Sequence, residues 1–148
     1  MRSVHGVAFG LALLTRAPAV PPAPDALQFT LTAPDSVRPG EPVPISLRLT
    51  NPTDRPIDAY FLGRTITFDV IVRRDSGAVV WRRLEGAVVQ GILQVRTLAP
   101  HETIEWREVW RQQTNQGTAV EPGTYVVQGV LPSDASPRRS PEVRLRIG

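Results

Sequence analysis

Three observations predict an all-β chain. Apolar residues recur with period two between turn signals, and no stretch holds helical spacing for long. The run Glu121-Pro122-Gly123-Thr124-Tyr125-Val126-Val127 places a tyrosine just past a Pro-Gly turn, at the head of an alternating strand. Proline there fixes one φ, glycine accepts a positive φ, and the phenol hydroxyl can satisfy a nearby backbone group, which is the pattern of a tyrosine corner. The expected fold is an immunoglobulin-like antiparallel β-sandwich of about seven to nine strands, over residues 27–148.

The elements follow in order. Leu27, Phe29 and Leu31 alternate with Gln28, Thr30 and Thr32. Pro39-Gly40-Glu41 turns the chain into Val43, Ile45, Leu47 and Leu49, which alternate with Pro44, Ser46, Arg48 and Thr50 and make the cleanest half-buried strand. Asn51-Pro52-Thr53-Asp54-Arg55-Pro56 is a turn cluster, because proline and Asx residues set φ and bond local amides. A short strand follows at residues 57–62. Phe68, Val70 and Val72 form the next, and Asp75-Ser76-Gly77 folds residues 79–84 back antiparallel on residues 67–73.

Residues 87–98 mix spacings around Gly91 and read as a loop crossing the sandwich edge, then a short strand. In residues 103–111, Ile104, Trp106 and Trp110 share a parity that Glu108 breaks. A bulge near Glu108, carrying Val109 to the core face, would restore it. Residues 112–121 are polar and form an exposed loop. Tyr125, Val127, Gly129 and Leu131 mark the next strand, residues 132–141 another loop, and Val143, Leu145 and Ile147 the last strand.

Composition narrows the function. A chain of 148 residues, 41% hydrophobic, can bury a core without crosslinks. The absence of cysteine excludes disulfides, a thiolate nucleophile and Cys-bound zinc. All 17 basic residues are arginine, so the pI of 10.5 reflects arginine's high pKa more than the net charge of +3. Interspersed with Glu102, Glu105 and Glu108, these arginines argue against a nucleic-acid partner. Residues 1–26 differ from the rest: Arg2 precedes an apolar stretch at residues 7–14, then Ala17-Pro18-Ala19 and a Pro/Ala-rich spacer. That order reads as a secretory leader cleaved near Ala19, with the domain outside the cytoplasm, and the stretch is too short to be a transmembrane segment.

Catalytic chemistry is not indicated. His5 and His101 are the only histidines, no G-x-S-x-G motif accompanies them, and no His/Cys cluster suits a metal. No enzyme, cofactor or metal role is expected. Glu102 and Glu108 share one strand face while Glu105 points to the other, so they serve arginines across strands instead of converging as paired acids. Asp69, between apolar positions, is expected to bond backbone amides at the start of its strand. Trp81 and Trp106 have core parity; Trp110, at a strand end, is divided between core and surface. Arg138-Arg139, bracketed by Pro137 and Pro141, reads as a polar loop or a substrate-like loop for a trypsin-like protease. The partner-contact candidates are Trp110, at the end of its strand, and Gln112, Gln113, Asn115, Arg138 and Arg139, on loops 112–121 and 133–140.

The order of the motifs over residues 43–131 resembles the BsuPI-type intracellular proteinase inhibitor family. The resemblance runs through Leu47-Arg48-Leu49-Thr50-Asn51, Phe68-Asp69-Val70, Asp75-Ser76-Gly77 into Val80-Trp81, Leu98-Ala99-Pro100-His101-Glu102 leading to Trp110, and Pro122-Gly123-Thr124-Tyr125. Three positions depart from it: His101 where the family has a turn glycine, Arg83 where it has a tryptophan, and Arg111-Gln112-Gln113 where an aspartate often follows. The resemblance implies an immunoglobulin-like domain. With the leader, it yields the expectation of a noncatalytic protein-binding domain of the cell envelope, its partner a protein such as a protease. The alternatives are serine-protease inhibition by an exposed loop and carbohydrate binding through Trp110.

Overall fold

The computed structural model describes residues 26–133 and 136–148. Among them are eleven strands: β1 (Gln28–Thr32), β2 (Ser36–Val37), β3 (Val43–Thr50), β4 (Ile57–Leu62), β5 (Asp69–Arg74), β6 (Val79–Arg82), β7 (Leu93–Leu98), β8 (Thr103–Trp110), β9 (Gly123–Leu131), β10 (Arg138–Arg139) and β11 (Val143–Ile147). They form the expected immunoglobulin-like sandwich. One sheet has the order β1-β3-β8, and the larger has the order β2-β11-β9-β5-β6, with β10 also on β9. A separate ribbon pairs β4 with β7. The proposed leader lies outside the described residues.

Alternation along β3 sets the first sheet. Val43, Ile45, Leu47 and Leu49 are buried, while the residues between them face out. Each such burial contributes roughly 1.5–3 kcal/mol. Opposite them in the larger sheet, Val70, Val72, Tyr125, Val127, Leu145 and Ile147 close the core. At Gly129 the two sheets approach so closely that a Cβ would lie 2.0 Å from Leu47 Cδ2 and 3.2 Å from Phe29 Cζ. The backbone there needs the missing side chain, not an unusual φ.

The tyrosine corner forms as the sequence indicates. Tyr125 donates its hydroxyl to the Glu121 carbonyl at 2.5 Å. Its ring meets Trp110 edge-on, with centroids 5.9 Å apart. The Asp75–Gly77 turn closes the β5–β6 hairpin, with Gly77 donating to the Arg74 carbonyl at 2.8 Å.

Two expectations need correction. The strand count is higher because of two two-residue strands: β10 lies in a stretch that reads as a loop, and β2 in residues 33–38, which carry no strand pattern. The bulge near Glu108 is absent: β8 pairs with β3 without a shift, from Val43↔Trp110 to Thr50↔Thr103. Val109 stays on the outer face, 46% exposed. Glu108 remains on the inner parity because Arg83 meets it there, with Nε 2.8 Å from Oε2. Among the described residues, the strand ladder shifts register between Val72 and Arg73, opposite β6.

Candidate functional site

Internal bonding claims most of the residues that could do chemistry. Asp69 is 2% exposed; its Oδ1 accepts the amides of Val70 (2.9 Å) and Leu84 (3.0 Å), and its Oδ2 accepts Arg82 Nη2 at 2.8 Å. Asn51, fully buried, donates to the carbonyls of Arg55, Leu98 and Ala99 and accepts from Thr53, fastening the turn after β3 to the end of β7. His101 stands on an exposed turn at φ 62, with Nε2 2.8 Å from Asp54 Oδ1. Glu102 pairs with Arg96 and Glu108 with Arg83. Glu105 lies between Arg48 and Arg107 on the outer face of the three-stranded sheet. The hydrogen bond from Arg107 Nε holds the Glu105 carboxyl below the usual carboxylate range; Ser46 and the charge of Arg48 assist, and partial desolvation opposes them.

Arg83 fills the place of an expected tryptophan. Its guanidinium carbon stacks 3.8 Å from the centre of the Phe68 ring, and Nη1 donates to the Phe68 carbonyl at 2.9 Å. A planar cation thus packs as the aromatic ring would, and the Glu108 carboxylate opposite balances its charge.

The structure separates the six partner-contact candidates. Trp110 is 1% exposed, donates Nε1 to the Gln113 carbonyl at 2.9 Å and packs on Trp81 and Tyr125. It offers no face for a sugar or a partner, which corrects that expectation. Gln112, 3% exposed, is also withdrawn: Nε2 donates to the carbonyls of Arg38 and Glu41, both at 2.8 Å, and Oε1 accepts the Gly40 amide. Its φ of 56 turns the chain so that the side chain reaches this distant loop. Gln113 is exposed and bridges Ala119 through its backbone. Asn115 is exposed, but Oδ1 accepts the Arg82 amide at 2.8 Å and Nδ2 donates to the Arg82 carbonyl at 2.9 Å. Arg138 and Arg139 form β10, with their backbone laddered to Leu131 and Val130. This pairing corrects the reading of the segment as a loop: it is a short strand on β9.

Sequence reasoning missed the ribbon. The inner face of β4 supplies buried Ala59 and Phe61 to the core, so alternation turns Tyr60 outward. Tyr60 lies opposite Val95, and Leu62 opposite Leu93. Tyr60 is 51%, Val95 56% and Leu93 44% exposed, and Ile92 adjoins them at 44%. Tyr60, Leu93 and Val95 share the ribbon's outer face, and exposed apolar side chains gathered on one face are a recognised mark of an interaction surface. The irregular apolar spacing of residues 87–98 was the available signal.

The fold is an immunoglobulin-like sandwich with an exposed apolar face on its ribbon, and comparison with known proteins names its class. Residues 30–136 match the family BsuPI, intracellular proteinase inhibitor. This chain belongs to that family. Among solved structures, the sporulation control protein Spo0M from Bacillus subtilis is similar at 12% identity and TM-score 0.50, over 83% of this chain and 49% of that one. An alkylpurine DNA glycosylase, AlkC from Pseudomonas fluorescens, is similar at 14% identity and TM-score 0.47, over 85% of this chain; the chain spans 31% of the glycosylase's length. The CARDB domain of a Pyrococcus furiosus protein is similar at 12% identity and TM-score 0.45, over 82% of this chain and 94% of that one. No curated protein matches the chain.

The family corrects the expected location. It is described as intracellular, which overturns the extracytoplasmic placement drawn from Arg2, residues 7–14 and Ala17-Pro18-Ala19. A short Ala/Leu-rich run with small residues after it has the composition of a leader without being specific to one. Among the described residues, no helix is long and apolar enough to cross a membrane.

Proposed function

We propose that this chain is a noncatalytic protein-binding domain that engages a proteinase through the outer face of the β4–β7 ribbon. The observation that carries this reading is the pairing of Tyr60 with Val95 and of Leu62 with Leu93, which gathers exposed apolar side chains on a ribbon whose other face is anchored in the core. Tyrosine is among the residues enriched in binding hot spots, which makes Tyr60 the anchor of this face. Family membership supports a proteinase as the partner class. The internal pairing of Asp69, Glu102 and Glu108 supports a noncatalytic role.

The test incubates the domain in micromolar excess with subtilisin-like and trypsin-like serine proteases, measuring both residual activity and complex formation. The expected result is slowed hydrolysis by at least one enzyme. Tyr60→Asp should weaken that effect by about 30-fold or more, as loss of a central aromatic contact does. No slowing and no complex with any enzyme would refute the proposal.

A further inference from the structure

The outer face of the larger sheet carries a groove of about 460 Å³, independent of the ribbon's outer face. Its floor includes Ile71 and Val130, which point outward from β5 and β9 yet are only 5% and 7% exposed. The turn after β6 walls one side, and the segment around β10 walls the other. Buried apolar side chains on a sheet's outward face are unusual unless something covers them. Here the flanking segments cover them almost completely and leave a slot above them.

Four charged residues line this groove: Asp69, Arg82, Glu85 and Arg139. Asp69 and Arg82 cancel each other within the wall, since Arg82 Nη2 lies 2.8 Å from Asp69 Oδ2 and two backbone amides occupy Oδ1. Glu85 and Arg139 remain, one on each side. Both are exposed, and among the described residues neither side chain has an ion pair or hydrogen bond. They do not meet because β5 and β9 separate β6 from β10, a span of about 14 Å at strand spacing. A gap of that width is bridged by a peptide of at most about four extended residues.

We propose that this groove binds a short apolar peptide with both termini free, its ammonium at Glu85 and its carboxylate on Arg139. The charge arrangement selects this ligand. A polyanion would meet Glu85, a polycation would meet Arg139, and only a ligand carrying opposite charges at its two ends satisfies both. Arginine's planar fork suits a terminal carboxylate. Leu84, Val89 and Pro132, partly exposed along the groove, supply the apolar contact between them, above Ile71 and Val130.

The test titrates the full chain with the tripeptide Ala-Val-Ala, followed by backbone amide NMR shifts and calorimetry, beside its N-acetylated and C-amidated forms. The free tripeptide should bind with Kd on the order of 0.1 mM and shift the amides of Ile71 and Val130. Blocking either end should weaken binding about tenfold. Arg139→Ala should abolish the difference between free and amidated peptide, and Glu85→Ala the difference between free and acetylated peptide; both residues are exposed, so the fold is retained. Absence of shifts at Ile71 and Val130, or equal affinity for blocked and free peptides, would overturn the proposal. Because no ribbon residue takes part, this outcome is read separately from proteinase binding.

Discussion

Gly129 and Leu47 share one space between the sheets: a methyl group on Gly129 would stand 2.0 Å from Leu47 Cδ2. Gly129→Ala should therefore lower stability by about 2–3 kcal/mol through overpacking. Leu47→Ala alone should cost about 2–5 kcal/mol through the cavity it leaves. The double variant should be more stable than the sum of the two costs predicts, by about 1 kcal/mol or more, because each change relieves the other. Urea unfolding of the four proteins checks this, and strict additivity would contradict the close approach.

Asp69 and Arg82 should respond unequally to truncation. Asp69→Ala strands two backbone amides as well as a guanidinium, and should cost about 2–4 kcal/mol. Arg82 has a side chain 46% exposed, and its loss leaves Asp69 with both amides. Solvent screening limits that cost to about 1 kcal/mol. Equal losses on thermal or urea unfolding would show that the amide bonds are not what holds Asp69.

His101 occupies a left-handed conformation, φ 62, that glycine adopts without strain. The contact with Asp54 is exposed on both sides and contributes little. His101→Gly should raise stability by about 0.5–1 kcal/mol. Unchanged or lowered stability in urea would mean that the Asp54 contact outweighs the backbone strain.

Glu105 links a surface network to pH. Its carboxyl pKa is depressed, chiefly by Arg107, so its contribution is present above the unfolded pKa and is lost as pH falls through the folded value. Glu105→Gln should flatten the acid side of the stability profile. A side-chain carboxyl NMR titration should place the Glu105 midpoint below that of a free glutamate, and Arg107→Ala should move it upward. An unmoved midpoint in that variant would remove Arg107 as the main cause.

Legibility from sequence followed the range of the interactions. β3 was plain because period-two alternation is a local property, and the tyrosine corner because Tyr125 and Glu121 are four positions apart. Gln112 was not, since its side chain bonds Arg38, 74 positions away, and no local pattern encodes that reach. Glu108 read as a fault in the strand because its partner, Arg83, comes from the β6 side of the sandwich. The ribbon face was hidden for another reason. Tyr60 and Val95 are apolar on the side where alternation leads one to expect polar residues, so the exposed apolar face did not stand out from the core-facing pattern.

Arg82 lies at the open margin of the larger sheet, where its main chain would otherwise accept another strand. The carboxamide of Asn115 takes that amide and that carbonyl together, as a neighbouring peptide unit would. One side chain thus acts as the final rung of the ladder. Two copies meeting edge to edge at this point find it already filled, so a fold built from unpaired margins does not readily polymerise through this one.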